Sequence, residues 1–386
     1  MLINADARSI PLKDQTVQCV VTSPPYWGLR NYGLEPLVWN DPGGCKHEWG
    51  KETRKKQPFQ RDHASDGSFG ETRGVEASRQ GMAFEASQGT FCSHCSAWRG
   101  SLGHEPTPDL YVQHLVEIFR EVRRTLRDDG TVWLNLGDSY AANRSYQVPS
   151  TKGGPKHSRA QGAQSSNSVP PGLKPKDLCG IPWRVAFALQ ADGWWLRSDI
   201  IWAKRNPMPE SIRDRPTRSH EYIFLLTKSG RYYYDCEAIK EPNVTYHDGN
   251  FFGGKNKHTG YGTRQASGRL YLRKPGRNKR SVWRYEGDLW TGGTQPYKGV
   301  HFATFPEALV EPCVLAGCPT GGTVLDPFCG AGTTVVVVQR FGRVGIGLEL
   351  KWDYLILASD RETLQSKKSI SSKRRRDNAN QSTNAV

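Results

Sequence analysis

The sequence predicts an α/β fold built on a mostly parallel sheet, and three stretches carry that reading. A helix-period stretch, Leu110 to Leu126, feeds a strand-like stretch, Thr131–Leu136, that ends in the polar loop Gly137-Asp138-Ser139. A helix feeding such a strand is the unit of a parallel sheet. The short apolar run Thr323–Leu325 enters the glycine-rich turn Asp326-Pro327-Phe328-Cys329-Gly330-Ala331-Gly332. The valine-rich run Gln18–Thr22 enters Ser23-Pro24-Pro25-Tyr26-Trp27.

Taken in order, the elements justify themselves as follows. Two consecutive prolines donate no ladder hydrogen bonds, so the first strand must stop at Ser23. Residues from about Lys51 to Gln88 are polar and read as an insertion or mobile loop. Thr107 suits a helix N-cap and Pro108 the first helical position. Leu110, Leu115, Ile118, Phe119, Val122 and Leu126 then recur at helical spacing, with Gly130 placed to stop the helix. The Ser-, Gly-, Pro- and Lys-rich segment from Ala141 to Lys176 reads as a surface loop. A helix is expected from Pro182 to Ala191, ended by Gly193, with strands at Trp195–Trp202 and Glu221–Thr227. Pro306-Glu307 opens another helix, which Pro312 should kink or end. The β-branched run Thr333 to Gln339 favours a strand by propensity, but its position after a glycine turn calls for a helix. Val344–Leu350 is the last strand.

The chain has 386 residues, a formal net charge of +15 and 36% hydrophobic residues, with mean hydropathy −0.65. A positive surplus of that size suggests a polyanionic partner, nucleic acid first. No apolar run is long enough to span a bilayer, and Met1 to Asp6 lacks the features of a signal peptide. Nine cysteines in a chain too large to need staples fit a reducing cytoplasm.

Two stretches carry chemistry. Glycines in the turn 326–332 remove side chains that would block a ligand, and the following helix start leaves N–H groups free. Glu349, ending the next strand, is placed to hold both hydroxyls of a ribose. Together they read as a site for a nucleoside-type ligand. The Ser23 to Tyr26 turn offers a hydroxyl, fixed carbonyls and a flat ring just past a strand end. That combination suits a planar base whose amine must meet two acceptors.

The two motifs together resemble the DNA amino-methyltransferases, which act on exocyclic amines. The order, with Ser-Pro-Pro-Tyr ahead of Asp-Pro-Phe-Cys-Gly-Ala-Gly, resembles the β group. Asp6, Asn135-Leu136-Gly137-Asp138, Trp202-Ala203-Lys204-Arg205-Asn206-Pro207 and His301 to Pro306 agree with it. The resemblance implies a Rossmann-like S-adenosylmethionine-dependent methyltransferase fold with helices on both sheet faces. It implies Ser23, Pro24, Pro25 and Tyr26 as catalytic residues. It places Asp6, Phe305, Asp326, Phe328, Gly330, Gly332, Thr333 and Glu349 around S-adenosylmethionine. Residues 1–40 and 105–204 form the catalytic half, 301–365 the cofactor half and 205–300 the recognition region. A basic tail spans 366–386. The partner is duplex DNA, with room for a paired restriction endonuclease, and the target base must be flipped out of the stack. Members with Ser-Pro-Pro-Tyr mostly methylate cytosine N4, and those with aspartate in place of serine mostly adenine N6. Cytosine N4 is therefore the expectation and adenine N6 its alternative.

Independently, Cys45-Lys46-His47 and Cys92-Ser93-His94-Cys95 form two short knuckles inside the segment 41–104. Cys45, His47, Cys92 and Cys95 are expected to bind a structural zinc ion, since four protein ligands leave no open position. His94 in place of His47 is a second ligand set, and His104 lies nearby. Pro312-Cys313 precedes the glycine turn in an apolar segment, so Cys313 reads as a core residue. Lys204 and the basic run Arg264, Arg269, Arg273, Lys274, Arg277, Lys279 and Arg280 are expected to bind DNA, mostly at phosphates. Two other readings remain open: a non-catalytic zinc-dependent DNA-binding module, which leaves Ser23 to Tyr26 and Glu349 idle, and an amine methyltransferase acting on RNA or protein.

Overall fold

The strand patterns decide the architecture. All six residues of Val17–Thr22 are buried, which only a strand covered on both faces can achieve. Val20 packs into one apolar cluster and Cys19 and Val21 into another. The computed structural model describes residues 1–29, 32–50, 54–56, 85–87, 89–141, 169–170, 172–204, 207, 210, 212–242, 276–284 and 306–363. In chain order the strands are β1 (Leu2–Asn4), β2 (Val17–Thr22), β3 (Leu37–Trp39), β4 (Arg54–Lys56), β5 (Glu85–Ser87), β6 (Thr90–Phe91) and β7 (Trp98–Gly100). Helix α1 (Pro108–Thr125) leads into β8 (Leu126–Leu136), and α2 (Ile181–Ala191) into β9 (Trp195–Ala203). Then come β10 (His220–Thr227), β11 (Val282–Arg284), α3 (Glu307–Gly317), β12 (Thr323–Asp326), α4 (Thr333–Arg340), β13 (Val344–Glu349) and a last helix over 352–363.

Eight strands form one sheet in the order β1-β13-β12-β2-β8-β10-β9-β11. β1, β13, β12, β2 and β8 run parallel, β10 is antiparallel to both neighbours, and β11 is parallel to β9. The sheet is thus mostly parallel, as the sequence predicts. Its two ends in sequence meet at its centre, where β12 pairs β2 through Val324↔Cys19 and Leu325↔Val20. Helices α1 and α2 fill the cluster on one face, and α3 with the end of α4 the other.

Several local rules hold. The Thr107 side chain accepts from the Leu110 N–H at 3.2 Å, and Pro108 starts α1. Val335 to Val338 are all buried in α4. Burying each contributes roughly 1.5–3 kcal/mol, against at most ~0.7 kcal/mol of unfavourable helix propensity, so the helix wins. One expectation fails. Helix α1 ends at Thr125, and Gly130 lies inside β8 instead of capping the helix. The pairing passes from Val17↔Leu126 to Cys19↔Thr131, so residues between bulge out, and a Cβ on Gly130 would fall 2.6 Å from the Leu126 side chain. Pro312 sits within α3, which continues to Gly317. Its cost of about 3 kcal/mol is offset by burial of Leu309, Val310, Cys313, Val314 and Ala316.

A small sheet, β3-β7-β6, forms beside the main one. β4 and β5 pair antiparallel as a separate two-stranded sheet. No helix among the described residues is long and apolar enough to cross a membrane.

Candidate active site and metal-ligand cluster

Parallel pairing puts the carboxyl ends of β2, β12, β13 and β8 along one sheet edge. Ligands in open α/β sheets bind at that edge. Ser23 follows β2, the glycine turn follows β12, Glu349 ends β13, and Gly137-Asp138 follow β8. The antiparallel β10 begins there, with Tyr222 opposite Leu136, and β9 ends there, with Ala203 opposite His220. Glu221 and Lys204 are thereby added to the same edge.

Asp326 ties the two motif turns together. Its Oδ1 accepts from the Thr22 hydroxyl at 2.7 Å and the Phe328 N–H at 3.1 Å, and its Oδ2 from the Thr334 hydroxyl at 2.7 Å. Burial pushes its pKa up to about 6, with the two threonine hydroxyls and the Phe328 N–H pulling the other way. Both oxygens are engaged inside the protein, so Asp326 shapes the turn from behind. Gly330 and Gly332 take φ of 49° and 74°, conformations that suit glycine. A Cβ on Gly332 would fall 2.8 Å from that of Ala358.

Glu349 accepts from the Gly330 N–H at 3.0 Å and the Lys351 N–H at 2.9 Å. Burial raises its pKa. An ionised carboxylate has about four lone-pair sites, so two backbone bonds leave capacity for a diol. Thr333 opens α4, and its hydroxyl accepts from Arg361 at 3.1 Å. Asp6 is held by Arg8 through Nε–Oδ2 at 2.9 Å and Nη2–Oδ2 at 2.7 Å. Phe305 lies outside the described residues.

On the other side of β12, the Ser23 hydroxyl donates to the Tyr26 oxygen at 3.1 Å. That oxygen lies 2.8 Å from Asn135 Oδ1 and 2.9 Å from Glu221 Oε2. Asn135 Nδ2 donates to the Tyr222 carbonyl at 3.1 Å, which fixes its amide the other way round. Burial, with Glu221 beside it, raises the Tyr26 pKa well above its ordinary value. Glu221 Oε1 receives Lys204 Nζ, whose ammonium also sits 4.9 Å from the Trp202 ring. The Tyr26 ring lies against Gly137, where a Cβ would come within 2.6 Å of it. The Tyr111 hydroxyl donates to the Pro25 carbonyl at 2.7 Å, so the carbonyl of Pro24 is not the one it occupies.

The sequence reading missed two site residues, Tyr111 and Glu221, the latter being the partner of Lys204. The available signal was a carboxylate at the start of the apolar run Tyr222 to Leu226. Of the basic run, Arg277 and Arg280 both pair with Glu241, at 3.3 and 3.0 Å, and Lys279 sits 5.2 Å from the Trp283 ring. Arg264, Arg269, Arg273 and Lys274 lie outside the described residues, as does the tail after 363.

Cys45, His47, Cys92 and Cys95 converge beside the small sheet, with one ligand atom from each within 4.8 Å of the others. Cys45 Sγ lies 3.9 Å from Cys92 Sγ, and Cys95 Sγ lies 3.4 Å from His47 Nδ1. His47 Nε2 faces Asp41 at 3.4 Å. His94 turns outward to Glu48 at 3.0 Å and is not in the cluster. All nine cysteines are free, and Cys313 is buried, donating to the Leu309 carbonyl at 3.2 Å.

A sheet that brings a glycine turn, an acidic strand end and a Ser-Pro-Pro-Tyr turn to one carboxyl edge defines the class of α/β methyltransferases. The chain belongs to the DNA methylase family, whose model matches residues 17–360. It is 40% identical over 363 residues to the Type II methyltransferase M.SmaI of Serratia marcescens, covering 93% of this chain and 89% of that one. To the Type II methyltransferase M.Cfr9I of Citrobacter freundii it is 38% identical, covering 93% and 86%. The fold matches that of the PvuII DNA methyltransferase, a cytosine-N4-specific enzyme, with TM-score 0.51, 14% identity and 94% and 85% coverage. The chain is a DNA methyltransferase, and S-adenosylmethionine is the methyl donor of its family.

The residues at the edge fit that donor: two glycines in the turn, a helix start behind them and a carboxylate with spare lone pairs. Glu349→Ala should therefore weaken donor binding by about 1.5–3 kcal/mol, the loss of a charge-assisted bond, or roughly 10- to 150-fold. Isothermal titration with S-adenosylmethionine measures it, with a melting curve as the check on folding. Unchanged affinity would remove Glu349 from the site.

Proposed function

We propose that this enzyme methylates N4 of cytosine in duplex DNA, at a specific site and by direct transfer to a flipped-out base. The observation that carries this reading is the Ser23 hydroxyl at the carboxyl edge, donating its own proton to Tyr26. Its lone pairs are left to accept from an exocyclic amine. The choice of cytosine rests on the serine itself, since enzymes with Ser-Pro-Pro-Tyr mostly methylate cytosine N4; the ring acceptor beside the amine does not discriminate, because adenine N1 matches cytosine N3.

S-adenosylmethionine, when bound, supplies a methyl group on a sulfonium, reactive enough to need no enzyme nucleophile. The chain's own residues orient the other reactant. The Ser23 oxygen and the Pro24 carbonyl accept the two amine protons, which draws the nitrogen lone pair out of ring conjugation. Tyr26, pinned through its hydroxyl, presents its ring to the base. Holding two reactants in line can supply roughly 7–11 kcal/mol of the barrier reduction. Lys204, Arg277, Lys279 and Arg280, with the basic residues of 264–274, would attract DNA phosphates.

Nucleoside mass spectrometry of duplex DNA treated with the enzyme and S-adenosylmethionine should yield N4-methylcytosine. N6-methyladenine alone would overturn the choice of base and keep the enzyme class. 5-Methylcytosine would overturn the mechanism, since that reaction needs a cysteine nucleophile, whereas Cys313 is packed inside the fold.

Cys45, His47, Cys92 and Cys95 are proposed to hold a structural zinc ion. The donor set fits. In a tetrahedron with Zn–S bonds of about 2.3 Å, two sulfurs stand roughly 3.8 Å apart, against 3.9 Å for Cys45 and Cys92. His47 would bind through Nδ1, with Asp41 behind Nε2 in the usual carboxylate–histidine arrangement.

A further inference from the structure

The contacts around Tyr26 need more protons than the side chains carry. Three short contacts meet at or beside its oxygen: Ser23 at 3.1 Å, Asn135 Oδ1 at 2.8 Å and Glu221 Oε2 at 2.9 Å. With Glu221 ionised, only the Ser23 and Tyr26 hydroxyl protons are available to fill them. Asn135 cannot supply a third, because its Nδ2 is committed to the Tyr222 carbonyl. One added proton, on Glu221, would let Glu221 and Ser23 both donate to the Tyr26 oxygen while Tyr26 donates to Asn135. The network is therefore built with room for one more proton.

The proposed reaction releases one. An exocyclic amine that has accepted a methyl group carries a positive charge and must lose a proton. We infer that Glu221 takes this proton through Ser23 and Tyr26, an assignment that rests on amine methylation at Ser23.

The step balances. An N–H bond of the methylated amine breaks, and its electron pair stays on nitrogen. The proton bonds to Ser23 Oγ, the Ser23 proton moves to the Tyr26 oxygen, and the Tyr26 proton moves to Glu221 Oε2. The product amine becomes neutral and the Glu221 carboxylate becomes a carboxylic acid. Lys204 is paired to the other carboxylate oxygen, leaving Oε2 to meet Tyr26. The side chain of Glu221 is 14% exposed and that of Lys204 34%, so the proton has a route to water afterwards. Glu221 acts through Tyr26 and need not touch the base.

The test is single-turnover methyl transfer to duplex DNA across a pH series, for wild type, Glu221→Gln, Tyr26→Phe, Ser23→Ala and the Glu221→Gln/Tyr26→Phe double variant. Glutamine keeps the shape and can still accept from Tyr26, so a purely supporting role for Glu221 would survive it. If Glu221 takes the proton, Glu221→Gln loses about 100-fold or more in rate, the lower scale of acid–base catalysis. Donor affinity and melting temperature stay near wild type. The wild-type rate depends on pH in a way that the glutamine variant, which has no carboxylate to accept the proton, does not share. The double variant is no slower than the slower single variant, because both cut one path. A Glu221→Gln enzyme with wild-type rate and wild-type pH profile overturns the relay. If Ser23→Ala is slow in that same experiment, amine methylation at Ser23 stands and the relay alone falls. If Ser23→Ala also keeps the wild-type rate, the reading of the site falls with it.

Discussion

Ser23→Ala is expected to lower single-turnover methyl transfer by roughly 10²- to 10³-fold, the scale for removing one preorganised hydrogen bond at a reacting centre. Donor affinity should change by less than about twofold, because in the proposed reaction the serine meets the amine and not the donor. The physical reason lies in where the hydroxyl sits. Pro24 and Pro25 end β2 and fix the direction of Ser23 relative to the sheet. Thr22, one residue earlier, is bonded to Asp326 at the start of the glycine turn. Ser23 is thus held next to the glycine turn through β2 and β12, whose pairing spans 304 residues of sequence between Thr22 and Asp326. Alanine leaves that framework intact and removes only the oxygen. Rapid-quench measurement of methyl incorporation, beside titration of the donor, separates the two effects. A fall in donor affinity with an unchanged rate would place Ser23 in the cofactor site instead.

Much of this site was legible because its signals are local. Two prolines after a valine run mark a strand end, and glycines after a short strand mark a turn that takes a ligand. Thr107 and Pro108 mark a helix start. What was not legible depends on strand order. Lys204 reads from its own stretch as a DNA contact, but its partner Glu221, 17 residues on, adjoins no motif that carries chemistry. They reach Tyr26 because β10 inserts antiparallel between β8 and β9, and no periodicity encodes that insertion. Gly130 misled for a related reason: glycine serves a helix stop and a strand bulge equally, and the register of β2 on β8 chose the bulge. Likewise the paired Cys/His spacing pointed to a metal cluster, whereas the choice of His47 over His94 came from their partners. Asp41 draws His47 into the cluster, and Glu48 holds His94 out.

Removing the metal should have the largest effect on stability, and it should reach the active site. Purified protein is expected to carry one zinc ion per chain, and Cys92→Ser or strong chelation to abolish it. Structural zinc contributes about 10–16 kcal/mol of apparent folding free energy in small modules. Even about 4 kcal/mol would lower Tm by roughly 5 °C, at about 2.1 cal/mol/K of unfolding entropy per residue over 386 residues. The consequences pass through the small sheet. Trp39 of β3 and Trp98 of β7 stack on the His114 ring of α1, with centroids at 4.3 and 5.4 Å. His114 Nδ1 meets Glu105 Oε1 at 2.9 Å, and both side chains are fully buried. Burial raises the Glu105 pKa, with His114 opposing it. The same segment braces the turn that follows β2: Trp27 Nε1 donates to the Glu105 carbonyl at 2.9 Å, and the Gly28 N–H to the Gly103 carbonyl at 2.8 Å. If the zinc knuckles open, β3 and β7 loosen, water reaches the Glu105–His114 pair, and the turn 24–28 loses these supports. Zinc loss should therefore lower both Tm and methyl transfer, while titrated S-adenosylmethionine affinity changes less, since these supports end on the turn after β2, whereas the glycine turn follows β12. Elemental analysis of folded, active protein that contains no zinc would overturn the metal assignment. Zinc loss that lowers Tm without slowing methyl transfer would keep the metal and break its link to the turn.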